Sequence, residues 1–281
     1  MKEDSLRGPD FLIIGAQRAG TTWLNRVLKQ HPSLWLPPIK ELHYFDRLKR
    51  SRTWLDPRER RRVRPKSLDR WHLSYLLGRR SDDWYSGLFQ KASNSGLIVG
   101  EVTPTYALLE KDVLRRIWRM NNAIKLVFVM RDPLDRVWSE VNNDLRKGLV
   151  LTAFTADTAL RRAHRPGIAE SSAYLDTIER LEAVFPRAQL YYGFFDDLRA
   201  QPEAFAANLL SFLGVDAAGV GALPGPVNVA AGQSAIPDAF AREMAEEYLP
   251  MVRALCDRFE GPPQQWRARY EKLLEASPHE V

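Results

Sequence analysis

The most restrictive feature of this 281-residue chain is a strand-like apolar run followed by a glycine-bounded turn and a helical pattern. The run of residues 11–14 is short enough for a buried strand and ends at Gly15, and apolar residues recur at helical spacing after Thr22. A strand, a turn and a helix N-terminus direct backbone N–H groups and the positive end of the helix dipole to one point. The segment therefore predicts an anion site, and a phosphate is the expected ligand.

The position of the positive charge separates this loop from that of a nucleoside triphosphatase. A nucleoside triphosphate P-loop carries lysine directly after its second glycine, where it reaches the β- and γ-phosphates. Gly15 and Gly20 keep the glycine spacing here, but Thr21 occupies the lysine position and the cation, Arg18, lies inside the loop. The loop therefore argues against a triphosphate. An ordinary strand–turn–helix corner and a nucleotide kinase with a degenerate P-loop are the alternatives.

A second strand-like run, residues 125–130, ends in a similar way. It is followed by Arg131, and Pro133 is suited to the first turn of a helix, where its missing N–H costs nothing. Ser139 then lies about two turns along that helix. Because ligands of open α/β sheets bind at the carboxyl ends of strands, we expect this element and the loop 15–20 at the same edge of a sheet. A surface arginine and a serine inside a helix are the alternative.

Chemistry is predicted for a third segment, residues 37–46. Glu41 and His43 are separated by one residue, so in an extended chain both side chains project to the same side. Glu41 is the predicted general base, since a partly buried carboxylate near phosphate charges would have a raised pKa. His43 is the competing candidate, or a partner that orients Glu41. Lys40 and Arg18 are the candidates to neutralise a transferring anionic group. A half-buried segment whose polar side chains face solvent is the alternative.

The rest of the chain alternates strand and helix patterns. This order predicts a parallel sheet with helices on both faces. Helices are expected at 112–120, 172–185, 205–213 and 238–259, the last kinked or interrupted at Pro250, with a further strand at 189–193.

Residues 15–24 resemble the 5′-phosphosulfate-binding loop of sulfotransferases that use 3′-phosphoadenosine 5′-phosphosulfate (PAPS). The resemblance is closer to bacterial and heparan-sulfate-modifying members than to the steroid and phenol enzymes, and most of the family carries lysine where this chain has Arg18. Residues 131–139 are similar to the family's 3′-phosphate-binding element. Residues 41–46 are similar to the stretch of the heparan-sulfate enzymes in which the matching glutamate is the base. The resemblance covers about residues 10–260.

The resemblance implies a P-loop-like three-layer α/β/α fold with a central parallel sheet. It also implies transfer of a sulfuryl group from PAPS to a hydroxyl or amine of a carbohydrate, lipid or small-metabolite acceptor, with release of 3′-phosphoadenosine 5′-phosphate (PAP). Arg131 and Ser139 then hold the 3′-phosphate and Glu41 is the general base. A non-catalytic relative that binds the nucleotide or an acidic glycan is a further alternative. The expected contacts of the 5′-phosphosulfate are Gln17, Arg18, Ala19, Gly20, Thr21, Thr22 and Trp23.

Two weaker polar segments lie beside the predicted site. Glu101 and Thr103 follow an apolar run and could contact the acceptor, or they could belong to a satisfied turn at a strand end. Related sequences often carry lysine where this chain has Val102. A polar loop lies at 226–234, where relatives close over the nucleotide; it offers candidate contacts or merely connects two helices. Its candidates are Asn228, Gln233 and Ser234.

Length and composition indicate one soluble domain, residues 1–281, with a core at about 10–260 and insertions at about 47–95 and 146–172 over the site. The chain is 45% hydrophobic, which suffices for a large core. Apolar runs are too short to span a membrane, and no apolar signal segment is seen at the N-terminus. With a single cysteine, Cys256, and no Cys/His cluster, we expect a bacterial, cytoplasmic protein without a metal site.

The charge of the chain is uneven. The formal net charge is +6, whereas residues 47–70 alone contain eleven basic and three acidic residues, a net of +8. Such a run could attract an acidic acceptor, but it is more often a solvated face without a partner. It gives little support for a nucleic-acid partner. The sequence leaves the oligomeric state and the identity of the acceptor open.

Overall fold

A single parallel sheet forms the centre of the protein. The computed structural model describes residues 7–48, 69–146, 155–225 and 235–275. Five strands are hydrogen-bonded in the order β2-β3-β1-β4-β5, and every pairing is parallel. With helices on both faces, this is the three-layer α/β/α fold that was predicted. The strands are β1 Phe11–Gly15, β2 Leu34–Trp35, β3 Ile98–Val102, β4 Lys125–Met130 and β5 Leu190–Phe194.

One or more helices separate each pair of consecutive strands along the chain, and four described helices follow β5. The first three are α1 Thr21–Gln30, α2 Arg70–Leu77 and α3 Asp82–Ser93. The next four are α4 Lys111–Met120, α5 Pro133–Arg146, α6 Ala156–Ala163 and α7 Tyr174–Glu182. The last four of the described ranges are α8 Phe195–Ala200, α9 Pro202–Leu213, α10 Asp238–Cys256 and α11 Pro262–Glu275. Short 3-10 turns include Phe45–Arg47 and Pro104–Leu108.

The two central strands explain why the apolar runs are continuous. All of β1 is buried, and so is β4 after its first residue, because helices cover both faces of a parallel sheet. Ile13 of β1 is aligned with Val102 of β3 and with Val127 of β4. The segments that follow these three strands therefore emerge at one edge of the sheet, as expected for a ligand site.

Several local predictions are confirmed. Helix α1 begins at Thr21, and Pro133 is the first residue of α5. The helix expected at 205–213 is part of α9, which ends at Leu213 and is capped by Gly214 in the left-handed conformation, with φ 91°. A kink or an interruption was predicted at Pro250; the interruption is wrong, because α10 continues through this residue as far as Cys256.

The predicted insertions are only partly described. Residues 69–95 contain α2 and α3, and the Tyr44 hydroxyl donates to Asp82 Oδ1 of α3 at 2.8 Å. Residues 49–68, with most of the basic run, and 147–154 lie outside the described residues. Across the four described ranges, no helix combines the length and apolar character needed to cross a membrane.

Candidate functional site

The loop between β1 and α1 brings the N-terminus of α1 to the carboxyl edge of the sheet. Gly20 is the N-cap residue, in the left-handed conformation with φ 79°, and the first turn contains no acidic residue. A glycine N-cap offers no side-chain acceptor to the first-turn N–H groups, which therefore suit an external anion. Gln17, Arg18 and Ala19 form the turn, while Thr21, Thr22 and Trp23 open the helix.

Gly20 also lies against α8, the short helix that follows β5. A Cβ at this position would lie 3.0 Å from Phe195 Cδ2 and 3.2 Å from Leu198 Cδ1. We expect Gly20→Ala to lower the free energy of unfolding by about 1–3 kcal/mol, because both strain and crowding oppose it. Denaturant melts measure the change in stability. Calorimetric titration measures the affinity for PAP, the nucleotide that the resemblance implies, and we expect this affinity to fall as well.

Gly96 provides a matched control for this substitution. It has the same φ of 79°, but a Cβ there would have nothing within 4 Å. Gly96→Ala therefore carries the backbone strain without the crowding against Phe195, and it should leave PAP affinity unchanged. Equal losses of stability and affinity in both variants would contradict a specific role of the Gly20 contact.

Arg18, Ser139 and Arg131 lie together. The Arg18 Nε donates to Ser139 Oγ at 3.1 Å and lies 3.6 Å from Glu140 Oε2. The Arg131 Nη1 donates to the backbone carbonyl of Arg18 at 3.0 Å. The loop after β1 and the element after β4 are therefore in direct contact and form one basic site.

Arg131 is held by its surroundings rather than by a carboxylate. Its Cζ lies 4.9 Å from the centre of the Phe195 ring, and the Tyr174 hydroxyl donates to its backbone carbonyl at 2.8 Å. Within the described ranges, no carboxylate forms an ion pair with Arg131. Burial lowers the pKa of Arg131, yet a guanidinium remains charged in proteins. Its positive charge is therefore suited to an anionic ligand.

Glu41 and His43 belong to a chain of polar contacts. Lys40 Nζ lies 2.7 Å from Glu41 Oε1, and His43 Nε2 lies 3.3 Å from Glu41 Oε2. On the other side of the ring, His43 Nδ1 lies 2.7 Å from Asp46 Oδ2. The Thr105 hydroxyl donates to the same Asp46 oxygen at 2.7 Å. The imidazole is therefore fixed between two carboxylates, and one of them is the predicted base.

The backbone of this segment differs from the expected extended form. Glu41 and His43 both have left-handed φ angles, 65° and 52°. The Glu41 N–H donates to the carbonyl of Val102 at 3.2 Å, and the Leu42 side chain between the two polar residues is fully buried. The side chains of Glu41 and His43 thus come together as predicted, but through turns at both residues.

The raised pKa expected for Glu41 is wrong for the protein without ligand. Burial raises the pKa, but the hydrogen bond with His43 and the charge of Lys40 outweigh burial and bring it to about 2. For His43, burial lowers the pKa, whereas the hydrogen bonds with Asp46 and Glu41 raise it above the usual value overall. The pair therefore favours a carboxylate beside an imidazolium.

Two residues of this group were missed by the sequence reasoning. Asp46 lies three residues after His43, and this short spacing could have indicated it. Thr105 carries no such signal, because it is contributed by the turn after β3. That same turn also lies against the start of the loop 15–20, since a Cβ on Gly15 would lie 2.9 Å from Ala107 Cβ. The 3-10 turn Pro104–Leu108 therefore links the basic site and the Glu41 group.

Other predicted residues have different positions. Glu101 and Thr103 are 1% and 0% exposed, so they cannot contact an acceptor, and the satisfied strand-end turn is the correct alternative. The Trp23 Nε1 donates to the backbone carbonyl of Pro224 at 2.8 Å. The candidates of the 226–234 loop, Asn228, Gln233 and Ser234, lie outside the described residues.

A family profile and the named relatives of this chain indicate the same family. A profile described as "Sulfotransferase family" matches residues 9–218. The heparan sulfate glucosamine 3-O-sulfotransferase 3A1 of Mus musculus is 26% identical over 222 residues, which are 76% of this chain and 48% of that protein. The membrane-associated sulfotransferase kil1 of Dictyostelium discoideum is 26% identical over 134 residues, 47% of this chain and 22% of that protein. The chain thus spans about half the length of these relatives, or less.

A solved structure supports the fold. A sulfotransferase from Alicyclobacillus acidocaldarius superimposes with a TM-score of 0.67 at 23% sequence identity. The superposition covers 92% of this chain and 98% of that one. The likeness therefore extends over nearly the whole chain at the level of the fold.

Proposed function

Because this chain belongs to the sulfotransferase family, we propose that it transfers a sulfuryl group from PAPS to a hydroxyl or amine and releases PAP. The observation that carries the proposal is the contact between the two predicted halves of the nucleotide site. Arg131 donates to the carbonyl of Arg18, and Arg18 donates to Ser139. Two strand ends thereby form one cationic surface that suits a ligand with phosphates at both ends.

The residues of this surface fit the nucleotide. The first-turn N–H groups of α1, with Thr21 and Thr22, are suited to the 5′-phosphosulfate. Arg131 and Ser139 are suited to the 3′-phosphate, since a guanidinium and a hydroxyl are both donors to phosphate oxygens. When bound, PAPS supplies an activated sulfuryl group, which passes to the acceptor. Arg18, in the loop itself, is the candidate to stabilise the charge on the phosphate that is left.

Glu41 is the proposed general base that takes the acceptor proton. His43 orients its carboxylate, and Asp46 fixes His43 through the opposite ring nitrogen. A base works best with a pKa near the working pH, whereas the hydrogen bond with His43 and then the charge of Lys40 lower the pKa of Glu41 to about 2. An anionic donor competes for Lys40, so we propose that binding of the donor draws Lys40 away and makes Glu41 a stronger base.

The acceptor is proposed only as a class. The mouse relative is named for the glucosamine of heparan sulfate, which favours a glycan among carbohydrate, lipid and small-metabolite acceptors. A single domain and a cytoplasmic location remain proposals. The two rival functions are a nucleotide kinase with a degenerate P-loop and a non-catalytic protein that binds the nucleotide or an acidic glycan.

Calorimetry tests the nucleotide without knowledge of the acceptor. We expect the protein to bind PAP in preference to ATP with magnesium, and Arg131→Ala to weaken PAP binding at least about tenfold, since it removes a charge-assisted contact. Arg258→Ala is the matched control, because Arg258 pairs with Glu182 away from the site. Unchanged PAP affinity in Arg131→Ala would reject the assignment of this site.

Transfer is then measured with PAPS that carries radiolabelled sulfate. The acceptors to screen are heparan sulfate, a fatty alcohol and a cell extract, and mass spectrometry identifies the product. Preference for ATP with magnesium would favour the kinase. Binding of PAP without transfer across this panel would favour the non-catalytic protein.

A further inference from the structure

Glu101 is a carboxylate buried near the end of β3, where it is hydrogen-bonded to the segment that carries Glu41. It is 1% exposed and receives four hydrogen bonds. Oε1 accepts from the hydroxyls of Tyr85 at 2.5 Å and Tyr106 at 3.0 Å. Oε2 accepts from the hydroxyl of Thr103 at 2.7 Å and from the backbone N–H of Leu42 at 3.2 Å. A carboxylate has about four acceptor positions, so all of them are used.

Through these bonds Glu101 is attached to the backbone that carries Glu41 and His43. The bond from Leu42 is direct. A second connection passes through Tyr106, because its hydroxyl accepts from the backbone N–H of Tyr44 at 2.9 Å and of Phe45 at 3.4 Å. The backbone N–H of Leu42 is therefore bound by Glu101 itself. The backbone N–H groups of Tyr44 and Phe45 are bound by the Tyr106 hydroxyl, which in turn donates to Glu101.

This attachment matters because the backbone here is held in an unfavourable form. Glu41 and His43 have left-handed φ angles of 65° and 52°, which residues other than glycine rarely adopt. Such conformations persist only where the surrounding structure over-determines them, and they concentrate at functional sites. The bonds at Leu42, Tyr44 and Phe45 lie between and just beyond the two turns, so they can supply that restraint.

We propose that Glu101 is a positioning residue for the transfer reaction, which sets the direction of Glu41 and His43 without touching either substrate. The inference rests on the proposed function, since it assigns the Glu41 group as the reacting one. Glu101 cannot act on the acceptor itself, because Tyr85, Thr103, Tyr106 and Leu42 surround its oxygens.

The chemistry of the pocket explains why a carboxylate is used. Burial raises the pKa of Glu101, while the hydrogen bonds from Tyr85, Thr103 and Tyr106 oppose this effect. The backbone N–H of Leu42 can only donate, so it requires an acceptor at Oε2. A glutamine could accept there, but its amide group would then face two hydroxyls that now donate. A buried polar network of this kind gives a unique arrangement only when every member is satisfied.

Two tyrosines allow a matched test. Tyr85 and Tyr106 each donate a hydroxyl to Glu101 Oε1 from a fully buried position, but only the Tyr106 hydroxyl also accepts from Tyr44 and Phe45. We expect Tyr106→Phe to lower kcat about 100-fold, the scale of a displacement of about 1 Å at a reacting group. Tyr85→Phe should stay within about threefold of the wild type, because Glu101 Oε1 still accepts from Tyr106 and the N–H groups of Leu42, Tyr44 and Phe45 keep their acceptors. Both should keep the wild-type affinity for PAP, since Arg18 and Arg131 are untouched.

Glu101→Gln and hydrogen exchange complete the test. The glutamine variant should lose kcat to an extent similar to Tyr106→Phe, again with unchanged PAP affinity. Exchange of the amide groups of Leu42, Tyr44 and Phe45 should become faster in Tyr106→Phe and Glu101→Gln, but not in Tyr85→Phe. Rates are compared well below each melting temperature, so that a loss of stability alone leaves kcat unchanged.

The outcomes separate this inference from the proposed function. If the wild type transfers sulfate and Tyr106→Phe matches Tyr85→Phe in kcat and in exchange, only the positioning role is overturned. A kcat of Glu101→Gln close to that of the wild type has the same meaning. If the wild type neither binds PAP nor transfers sulfate, the proposed function fails and this inference fails with it.

Discussion

Replacing Arg18 by alanine is expected to lower kcat/KM for sulfuryl transfer by about 10²–10³-fold, the usual effect of removing one donor that stabilises developing charge. Arg18 lies inside the loop 15–20, and its Nε donates to Ser139 Oγ at 3.1 Å. The substitution removes this cation from the expected path of the sulfuryl group. Steady-state kinetics with labelled PAPS, together with calorimetry of PAP, would show the loss in both transfer and affinity.

Arg18→Lys is the matched variant for this prediction. Lysine keeps the charge but loses the planar fork, which separates the need for charge from the need for guanidinium geometry. Because most of the sulfotransferase family carries lysine at this position, we expect this variant to retain most of the transfer rate. Wild-type rates in Arg18→Ala would show that this arginine does not act in transfer.

Replacing Glu41 by glutamine is expected to lower kcat by about 10²–10⁴-fold while PAP affinity stays unchanged. Glutamine has the same shape and can still accept a bond from Lys40, but it cannot take the acceptor proton. Turnover close to that of the wild type would transfer the role of the base to His43. His43→Asn is the comparison, and as an orienting residue it should cost less than Glu41→Gln.

The pH dependence of the rates gives a second test of Glu41. Because the pKa of Glu41 is lowered to about 2 in the protein without ligand, kcat/KM should show no acid limb from this group above about pH 3. If bound donor draws Lys40 away, the acid limb of kcat should lie at higher pH. The same shift stabilises the fold above the usual carboxyl pKa, and this contribution is lost as the pH falls through about 2.

Most of the backbone of the proposed donor site could be predicted from sequence because short-range patterns specify it. The apolar run, the glycines and the threonines of residues 11–22 determine a strand, a turn and a helix start, and Pro133 does the same after β4. Since parallel strands bring their carboxyl ends to one edge, the meeting of Arg18 and Arg131 follows from topology. The hydrogen bonds from Arg18 to Ser139 and from Arg131 to the Arg18 carbonyl are details that only the packed structure gives.

The Glu41 group was predicted less well because its geometry depends on distant residues. The left-handed turns at Glu41 and His43 are held by Glu101 and Tyr106, which lie about 60 positions away in sequence. The pKa of Glu41 is lowered in this structure, whereas a raised pKa was expected beside phosphates, because the hydrogen bond with His43 and the charge of Lys40 outweigh burial. Such contacts between individual side chains cannot be predicted from the spacing of apolar residues along the sequence.

The contact between the Arg18 and Arg131 segments has a consequence for experiments in solution. Burial lowers the pKa of Arg131, and the positive charge of Arg18 adds a smaller effect in the same direction. A small anion beside these two arginines would interact favourably with both charges. We therefore expect the affinity for the proposed nucleotide to depend on ionic strength, and sulfate or phosphate buffers to compete with it. Chloride at a low, fixed concentration is the appropriate medium for comparing variants.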